Sequence, residues 1–451
     1  MKKKLENRKN NKSIIVSTLI FVITFIAMAG YLIYFNLTQA ESIINNSYNK
    51  RQGVLSRRTI RGSILSDDKT KLAVTNVDDD GNETRYYPYS GLFSHAIGYL
   101  NNGGYGLESL YGYYMLHSNQ NFFEQIGNDL SGNRNTGDNV VTTLNVGLQK
   151  ACYDALGSNR GAVIVMEPST GKILAMVSKP DFDPNTLAAN WSQITGEGSD
   201  SVLVNRATQG LYPPGSTFKL ITMLEYLREH KNDYGQYHYI CDGTYELGNN
   251  TINCVRTTAH GDVDLFSSLA VSCNCSFINI GLSLDLDRYK KTAEKMLFNK
   301  ELPTNLEYNK SRFVLNGESS EWDIAQTSFG QGKTVITPFH LALITCTIAN
   351  NGTLMEPYLV SSVESTNGMT VKKFKEEKYD TLITEKEASL LKKGMEQVVK
   401  DSFSWLFGGV EYTLAAKSGS AQYGTEGYEH SLYASFSPAD NPEIAVVAGG
   451  G

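Results

Sequence analysis

From Ser13 to Tyr34 the chain reads SIIVSTLIFVITFIAMAGYLIY, without a single charge. At about 1.5 Å per residue, such a stretch crosses a hydrocarbon core of roughly 30 Å, so it predicts a membrane-spanning helix. A signal peptide has a shorter apolar centre, about 7 to 15 residues, and a small-residue cleavage site. Here bulky Phe35 follows, and residues 13–36 read as an uncleaved anchor. Residues 37–145 are rich in Asn, Gly and Tyr, with short strand-like runs and turns such as DDDGN (78–82) and NNGG (101–104), and read as a small α+β pedestal. The pattern changes at Asn145, which can cap a helix over LQKACYDAL. GAVIVME (161–167) and KILAMVS (172–178) then read as two strands joined by the turn PSTG. Helical spacing appears in ITMLEYLRE (221–229), FSSLAVS (266–272) and KEASLLKKGMEQVVK (386–400), and residues 431–437 and 443–448 return to strands. Strands at both ends with helices between them predict that 146–451 is an α+β domain built on an antiparallel sheet.

Composition fits this division, since 451 residues allow two or three domains, each with its own core. The formal charge of −6 is unevenly spread. Residues 1–12 hold six basic residues against Glu6, a net of +5, which leaves −11 for the rest. A body that negative offers no footprint for phosphate backbones and disfavours nucleic-acid binding. The basic tail beside the apolar stretch instead predicts a cytoplasmic N-terminus, with everything after residue 36 outside the membrane. Six cysteines are too sparse for a disulfide scaffold. Cys241 and Cys254 share one Gly- and Asn-rich segment where a small loop-closing bridge is an option. Cys273 and Cys275 have neither metal-ligand spacing nor nearby His partners and read as buried apolar thiols. No metal or cofactor is expected.

GQGKT at 330–334 resembles the end of a phosphate-binding loop, but the required upstream glycine is Thr327, so that reading is dropped. YPPGSTFK (212–219) is more informative. Ser216 and Lys219 are three residues apart, one turn of the same helix face, and Pro213, Pro214 and Gly215 force the helix to begin near Ser216. The positive end of the helix dipole then favours negative charge developing on the serine oxygen. Lys219 can act as its base only when neutral. To be half neutral at pH 7 it must drop about 3.4 units, a cost near ~4.6 kcal/mol, which calls for burial beside a second cation. The S-x-x-K pattern alone decides nothing, because it also starts at Ser47, Ser66, Ser169 and Ser389. Two later elements single out Ser216. Ser272-Cys273-Asn274 offers a hydroxyl for proton relay and an amide to hold a peptide. Lys417-Ser418-Gly419, at the end of the apparent strand EYTLAAKSG, offers the second cation, a carboxylate-binding hydroxyl and room for a substrate backbone.

The ordered set STFK, SCN and KSG resembles the active-site serine acyltransferases of the penicillin-binding protein and serine β-lactamase group, and its surroundings are similar to class B penicillin-binding proteins. RGSILSDDKTKLA (61–73), YPYSGLFSHAIGY (87–99), GLE (106–108), TLNVGLQKACYDAL (143–156), VMEPSTGKILAMVSKPDFDPN (165–185), SFGQGKTVITP (328–338) and the series Cys241, Cys254, His260-Gly261, SCN all look like that family's landmarks. The resemblance implies a β-lactamase/transpeptidase-like domain with a helix-flanked sheet. It implies a D,D-transpeptidase in which Ser216 attacks the penultimate D-Ala of a peptidoglycan stem peptide and Lys219 takes its proton. Ser272 and Lys417 would relay the proton to the leaving D-Ala, Asn274 would hold the substrate amide, and the backbone amides of Ser216 and Ser420 would form the oxyanion hole. β-Lactams would trap Ser216, and a polytopic glycan polymerase would be the partner in the bilayer. A D,D-carboxypeptidase or β-lactamase, and an inactive scaffold or β-lactam sensor, are the competing readings. Two departures from the family pattern stand out: Ser418 replaces a commoner Thr, and Ser435 in HSLYASFSP takes a glycine position. The chain also stops at AVVAGGG, where the family usually adds a C-terminal helix.

Overall fold

The computed structural model describes residues 2–38, 58–196, 198–423 and 428–451. Residues 39–57, the start of the expected pedestal, lie outside these, and with them the S-x-x-K pattern from Ser47. Helix α1 spans Lys2–Thr38, and its stretch Ile14–Phe35, 22 residues, is apolar, unburied and long enough to cross a membrane.

The pedestal is organised by a six-stranded mixed sheet in the order Thr370–Lys373, Val360–Glu364, Asn139–Thr142, Ile64–Leu65, Lys71–Val77 and Glu83–Tyr86. Two of these strands, Thr370–Lys373 and Val360–Glu364, come from far beyond residue 145. The reason is burial: Val363 pairs with Val140 in antiparallel register, and both side chains are fully covered. Beneath the sheet the RGS and GLE landmarks meet. Arg61 Nε and Arg85 Nε each donate to the Glu108 carboxylate, at 2.9 and 2.7 Å, and Tyr87 Oη adds a third bond at 3.2 Å. Burial alone would raise the Glu108 carboxyl, but the two guanidiniums outweigh it and hold the group below the usual range. Removing one partner of such a buried cluster leaves uncompensated charge, so Glu108→Gln is expected to cost about 3–5 kcal/mol of stability, read from denaturant unfolding.

The second domain opens with α2 (Val146–Leu156), which Asn145 caps by accepting from the Leu148 amide at 2.9 Å. Strands β1 (Gly161–Met166) and β2 (Ile173–Lys179) follow, then helices α3 (Lys219–Glu229), α4 (Leu265–Ala270), α5 (Asn274–Ser283), α6 (Pro338–Ala349) and α7 (Glu385–Ser402). The chain ends in β3 (Ala415–Tyr423), β4 (Tyr428–Ser437) and β5 (Ile444–Gly450). The five strands form one antiparallel sheet in the order β3-β4-β5-β1-β2. Residues of a strand alternate between faces, and β1 uses both. Ala162, Ile164 and Met166 join the main core under α6, while Val163 and Val165 pack with Cys152 and Leu148 of α2 on the other side. A strand covered on both faces explains the unbroken apolar run GAVIVM. Ser435 fits its β4 position, with its hydroxyl directed to the Val446 carbonyl at 3.4 Å. This order leaves β3 at the sheet edge, and the active-site candidates gather along it.

Candidate active site

Ser216 lies in a 3-10 turn, Gly215–Phe218, that runs directly into α3, so Lys219 is the first residue of the helix proper. The turn is pressed against β3. Gly215 has φ of +55°, and a Cβ there would stand 2.8–2.9 Å from the backbone of Ser420. A Cβ on Gly419 would stand 3.0 Å from the amide nitrogens of Ser216 and Thr217. Only glycines permit this close approach of the turn to β3. From behind, the SFGQG loop closes the turn. Gly215 N donates to the Gly330 carbonyl at 2.9 Å, and Gly330 itself has φ of +90° with no room for a side chain. The residues that resemble a phosphate loop are therefore the backing of the Ser216 turn.

Ser272 stands between α4 and α5 with φ of +55°, a left-handed conformation that a non-glycine residue adopts at a cost. It is held there by its own amide on the Leu269 carbonyl, by the Cys273 amide on Ser268, and by the Ser268–Ser276 hydroxyl pair at 2.7 Å. Both lysines converge on this loop. Lys219 Nζ donates to Ser272 O at 2.7 Å, Asn274 Oδ1 at 2.8 Å and Ser272 Oγ at 3.2 Å. Lys417 Nζ donates to the same Ser272 Oγ at 3.1 Å and to Ser418 O at 2.8 Å. A hydroxyl oxygen accepts twice, so Ser272 serves both amines and keeps its own proton to donate. Asn274, expected at the substrate, here joins Lys219 to the Asn253 carbonyl, to which its Nδ2 donates at 3.1 Å. Ser418 is half-buried and Ser420 is exposed on β3.

The electrostatics are those of two amines out of water. Burial lowers Lys219 to about 7, against an opposing pull from the thiols of Cys273, Cys254 and Cys275. Lys417 is lowered well below its ordinary value, first by burial and then by repulsion from Lys219. The sequence reading asked for burial together with a second cation. Burial is the first cause on both lysines, and the mutual repulsion of the two amines acts in the same direction. Two lysines of the other described S-x-x-K patterns, those that follow Ser66 and Ser169, differ in kind. Lys69 and Lys172 are solvent-accessible and paired with Glu364 and Glu167.

Cys241 and Cys254 are free thiols in this structure, with Sγ atoms 3.8 Å apart, against about 2.05 Å for a disulfide. Cys273 and Cys275 are fully buried, as read from the sequence. The expectation that they lack ligand-forming neighbours is corrected. The ligand atoms of Cys241, Cys254, His260 and Cys273 lie within 4.8 Å of one another. Linear spacing conceals this, because separate hairpins and a helix cap supply the residues. The available signal was density: four of the six cysteines fall between 241 and 275.

A nucleophile candidate packed on an edge strand, with two buried amines meeting at one hydroxyl, is the arrangement of an active-site serine acyltransferase. The comparisons agree on the particular family. A penicillin binding protein transpeptidase domain matches residues 161–449, and a penicillin binding protein A dimerisation domain matches residues 61–140. The chain belongs to the penicillin-binding protein transpeptidase family. The peptidoglycan D,D-transpeptidase PbpA of Mycolicibacterium smegmatis is 31% identical over 393 residues, 81% of this chain and 77% of that protein. The peptidoglycan D,D-transpeptidase MrdA of Acinetobacter baumannii is 27% identical over 423 residues, 80% of this chain and 62% of that protein. Among solved structures, penicillin-binding protein A of M. tuberculosis in its ceftriaxone acyl-enzyme complex superposes with a TM-score of 0.79 at 28% identity, covering 88% of this chain and 93% of the other. A D,D-transpeptidase domain from Eggerthella lenta gives 0.78 at 29% identity, over 87% and 93%.

Proposed function

We propose that this chain is a peptidoglycan D,D-transpeptidase anchored by α1, with Ser216 as the nucleophile. The observation that carries this reading is the meeting of Lys219 and Lys417 at Ser272 Oγ, at 3.2 and 3.1 Å, beside the Ser216 turn. The free edge of β3 accepts the stem peptide as an added strand, with Ser418 and Asn274 binding its polar groups. Neutral Lys219 takes the Ser216 proton as the oxygen attacks the penultimate D-Ala carbonyl. The oxyanion is received by the amides of Ser216 and Ser420; a donor of this kind contributes about 3–4 kcal/mol to the barrier in other enzymes. The peptide C–N bond then breaks, and Ser272 with Lys417 delivers a proton to the departing D-Ala amine, leaving an ester on Ser216. An amine from a second stem peptide attacks that ester, forms the cross-link and returns the proton to Ser216. A β-lactam follows the same path as far as the ester, but its leaving nitrogen stays tethered and blocks the acceptor.

The basic run at 2–12 keeps the N-terminus cytoplasmic and the catalytic domain outside. A membrane-embedded glycan polymerase that contacts α1 and the pedestal supplies the strands to be linked. The test uses the full chain in detergent with a donor ending in D-Ala-D-Ala and a stem-peptide amine acceptor. The expected result is a cross-linked product with one D-Ala released per link, blocked by prior penicillin. Release of D-Ala with hydrolysed donor alone would mark a carboxypeptidase. Absence of both turnover and acylation would mark a scaffold.

A further inference from the structure

We propose that the segment between α7 and β3 carries a sugar-binding platform, centred on Trp405, for the glycan of the strand that supplies the acceptor amine. This rests on the transpeptidase reading and adds a contact for its second substrate. The segment, residues 403–414, reads FSWLFGGVEYTL. Trp405 is 79% exposed and Tyr412 53%, with Leu406 and Val410 also exposed, whereas Trp191 and Trp322 are half-buried. Large apolar side chains gathered in water mark a surface that meets a ligand.

The platform is built rather than frayed. The amides of Phe407 and Gly408 donate to the carbonyls of Phe403 and Ser404 at 3.0 and 2.8 Å, and Val410 N donates to Phe407 O at 3.2 Å. Phe403 anchors the turn from below, edge-on to both Phe407 and Tyr433 of β4. Trp405 Nε1 donates to the Ser402 carbonyl at 3.2 Å. The single polar group of the indole is thereby satisfied within the chain, and the ring offers an apolar face with no hydrogen bond to seek.

Both ends of the segment are tied to the groups that handle the leaving amine. Ser402 Oγ donates to the Ala270 carbonyl at 2.8 Å, two residues before Ser272. At the other end Thr413 O accepts from Ser437 Oγ at 2.9 Å, and Thr413 Oγ1 accepts from the Ala439 amide at 2.8 Å; β3 then carries the chain to Lys417. The second half-reaction is the first run backwards with a different amine, so the acceptor reaches the ester across the Ser272–Lys417 side where D-Ala departed. The segment borders that approach.

The acceptor's chemistry selects the occupant. Its amine arrives on a stem peptide attached to a chain of N-acetylated pyranoses. The faces of these rings are C–H surfaces of slight positive polarity, which pack on the negative face of an indole. Three extended stem residues reach about 10 Å, and only two residues, one hydrogen bond and three further residues separate Ser272 from Trp405. Glu411 is the one charged residue of the segment, so the patch lacks the lysines and arginines that an anionic lipid surface would require.

The full chain in detergent is titrated with chitotetraose, a peptide-free chain of N-acetylglucosamine, and binding is followed by saturation-transfer NMR. Wild type is expected to bind, Trp405→Ala to bind about tenfold more weakly, the scale of one aromatic contact, and Trp405→Phe to recover most of the loss. Cross-linking is then compared for a stem-peptide amine carried on its disaccharide and for the same peptide alone. Wild type is expected to favour the disaccharide-borne acceptor through a lower KM, and Trp405→Ala to reduce that preference about tenfold. The sugar titration needs no turnover, so binding that depends on Trp405 upholds the platform even if no cross-link forms and the transpeptidase reading fails. Chitotetraose binding that is absent, or undiminished in Trp405→Ala, would overturn the platform. So would an acceptor preference that the variant leaves unchanged, or a dimer in detergent that Trp405→Ala dissociates, since a second copy would then cover the patch.

Discussion

Ser216→Ala is expected to abolish covalent labelling by fluorescent penicillin, with the acylation rate falling by about 10⁶-fold, the scale on which removal of a catalytic serine acts elsewhere. The substitution deletes one oxygen from a half-buried side chain in the Gly215–Phe218 turn and leaves the glycine contacts with β3 untouched. Stability should therefore change by less than about 1 kcal/mol, so loss of label cannot be ascribed to unfolding. Label persisting in the variant would refute the nucleophile, and with it the assignment of the neighbouring amides as an oxyanion hole.

Lys219→Met is expected to carry the next largest effect, about 10²- to 10⁴-fold in acylation, the range over which a positioned general base contributes. Its effect on stability should be small, because two terms oppose. The change leaves Ser272 O and Asn274 Oδ1 without their donor, at about 1–3 kcal/mol for each buried acceptor. It also removes an amine whose burial disfavours its charged form. Folding stability itself carries the same signature. The unfolded chain keeps this proton up to the ordinary lysine value, while the folded chain gives it up near 7. Between those values the unfolded state binds more protons, so this group makes wild-type stability rise as pH increases from about 7 towards 10.5. Lys219→Met should remove that rise. Equal loss of activity and fold would contradict the role given to Lys219.

Local signals in the sequence located most of the second domain. Asn145 caps α2 as its position before LQKACYDAL implies, and α7 starts at a reciprocal cap in which Thr384 and Glu387 each accept from the other's backbone amide. The strands around GAVIVM and HSLYASFS follow from runs that only a sheet can bury. Side chains from the three motifs meet at Ser272 Oγ, where Lys219 and Lys417 both donate. What escaped was set by non-local contacts. Nothing near Val360–Glu364 announces that it pairs with Asn139–Thr142, and only the completed sheet covers Val140 and Val363. The left-handed backbone of Ser272 arises from hydrogen bonds to α4 and α5 rather than from any local preference of Ser. The cysteine–histidine cluster forms only when two ribbons and a helix end meet, so counting residues between cysteines could not reveal it.

The most direct test of an amine-activated Ser216 is the second-order rate of penicillin acylation as a function of pH, followed by intact-protein mass. A rise with a midpoint near 7 and a plateau above it is predicted, because Lys219 is held at about 7 by burial. A rate still climbing towards 10, as for a solvated lysine, or one flat from pH 5 to 9, would contradict a neutral Lys219 as the base that activates Ser216.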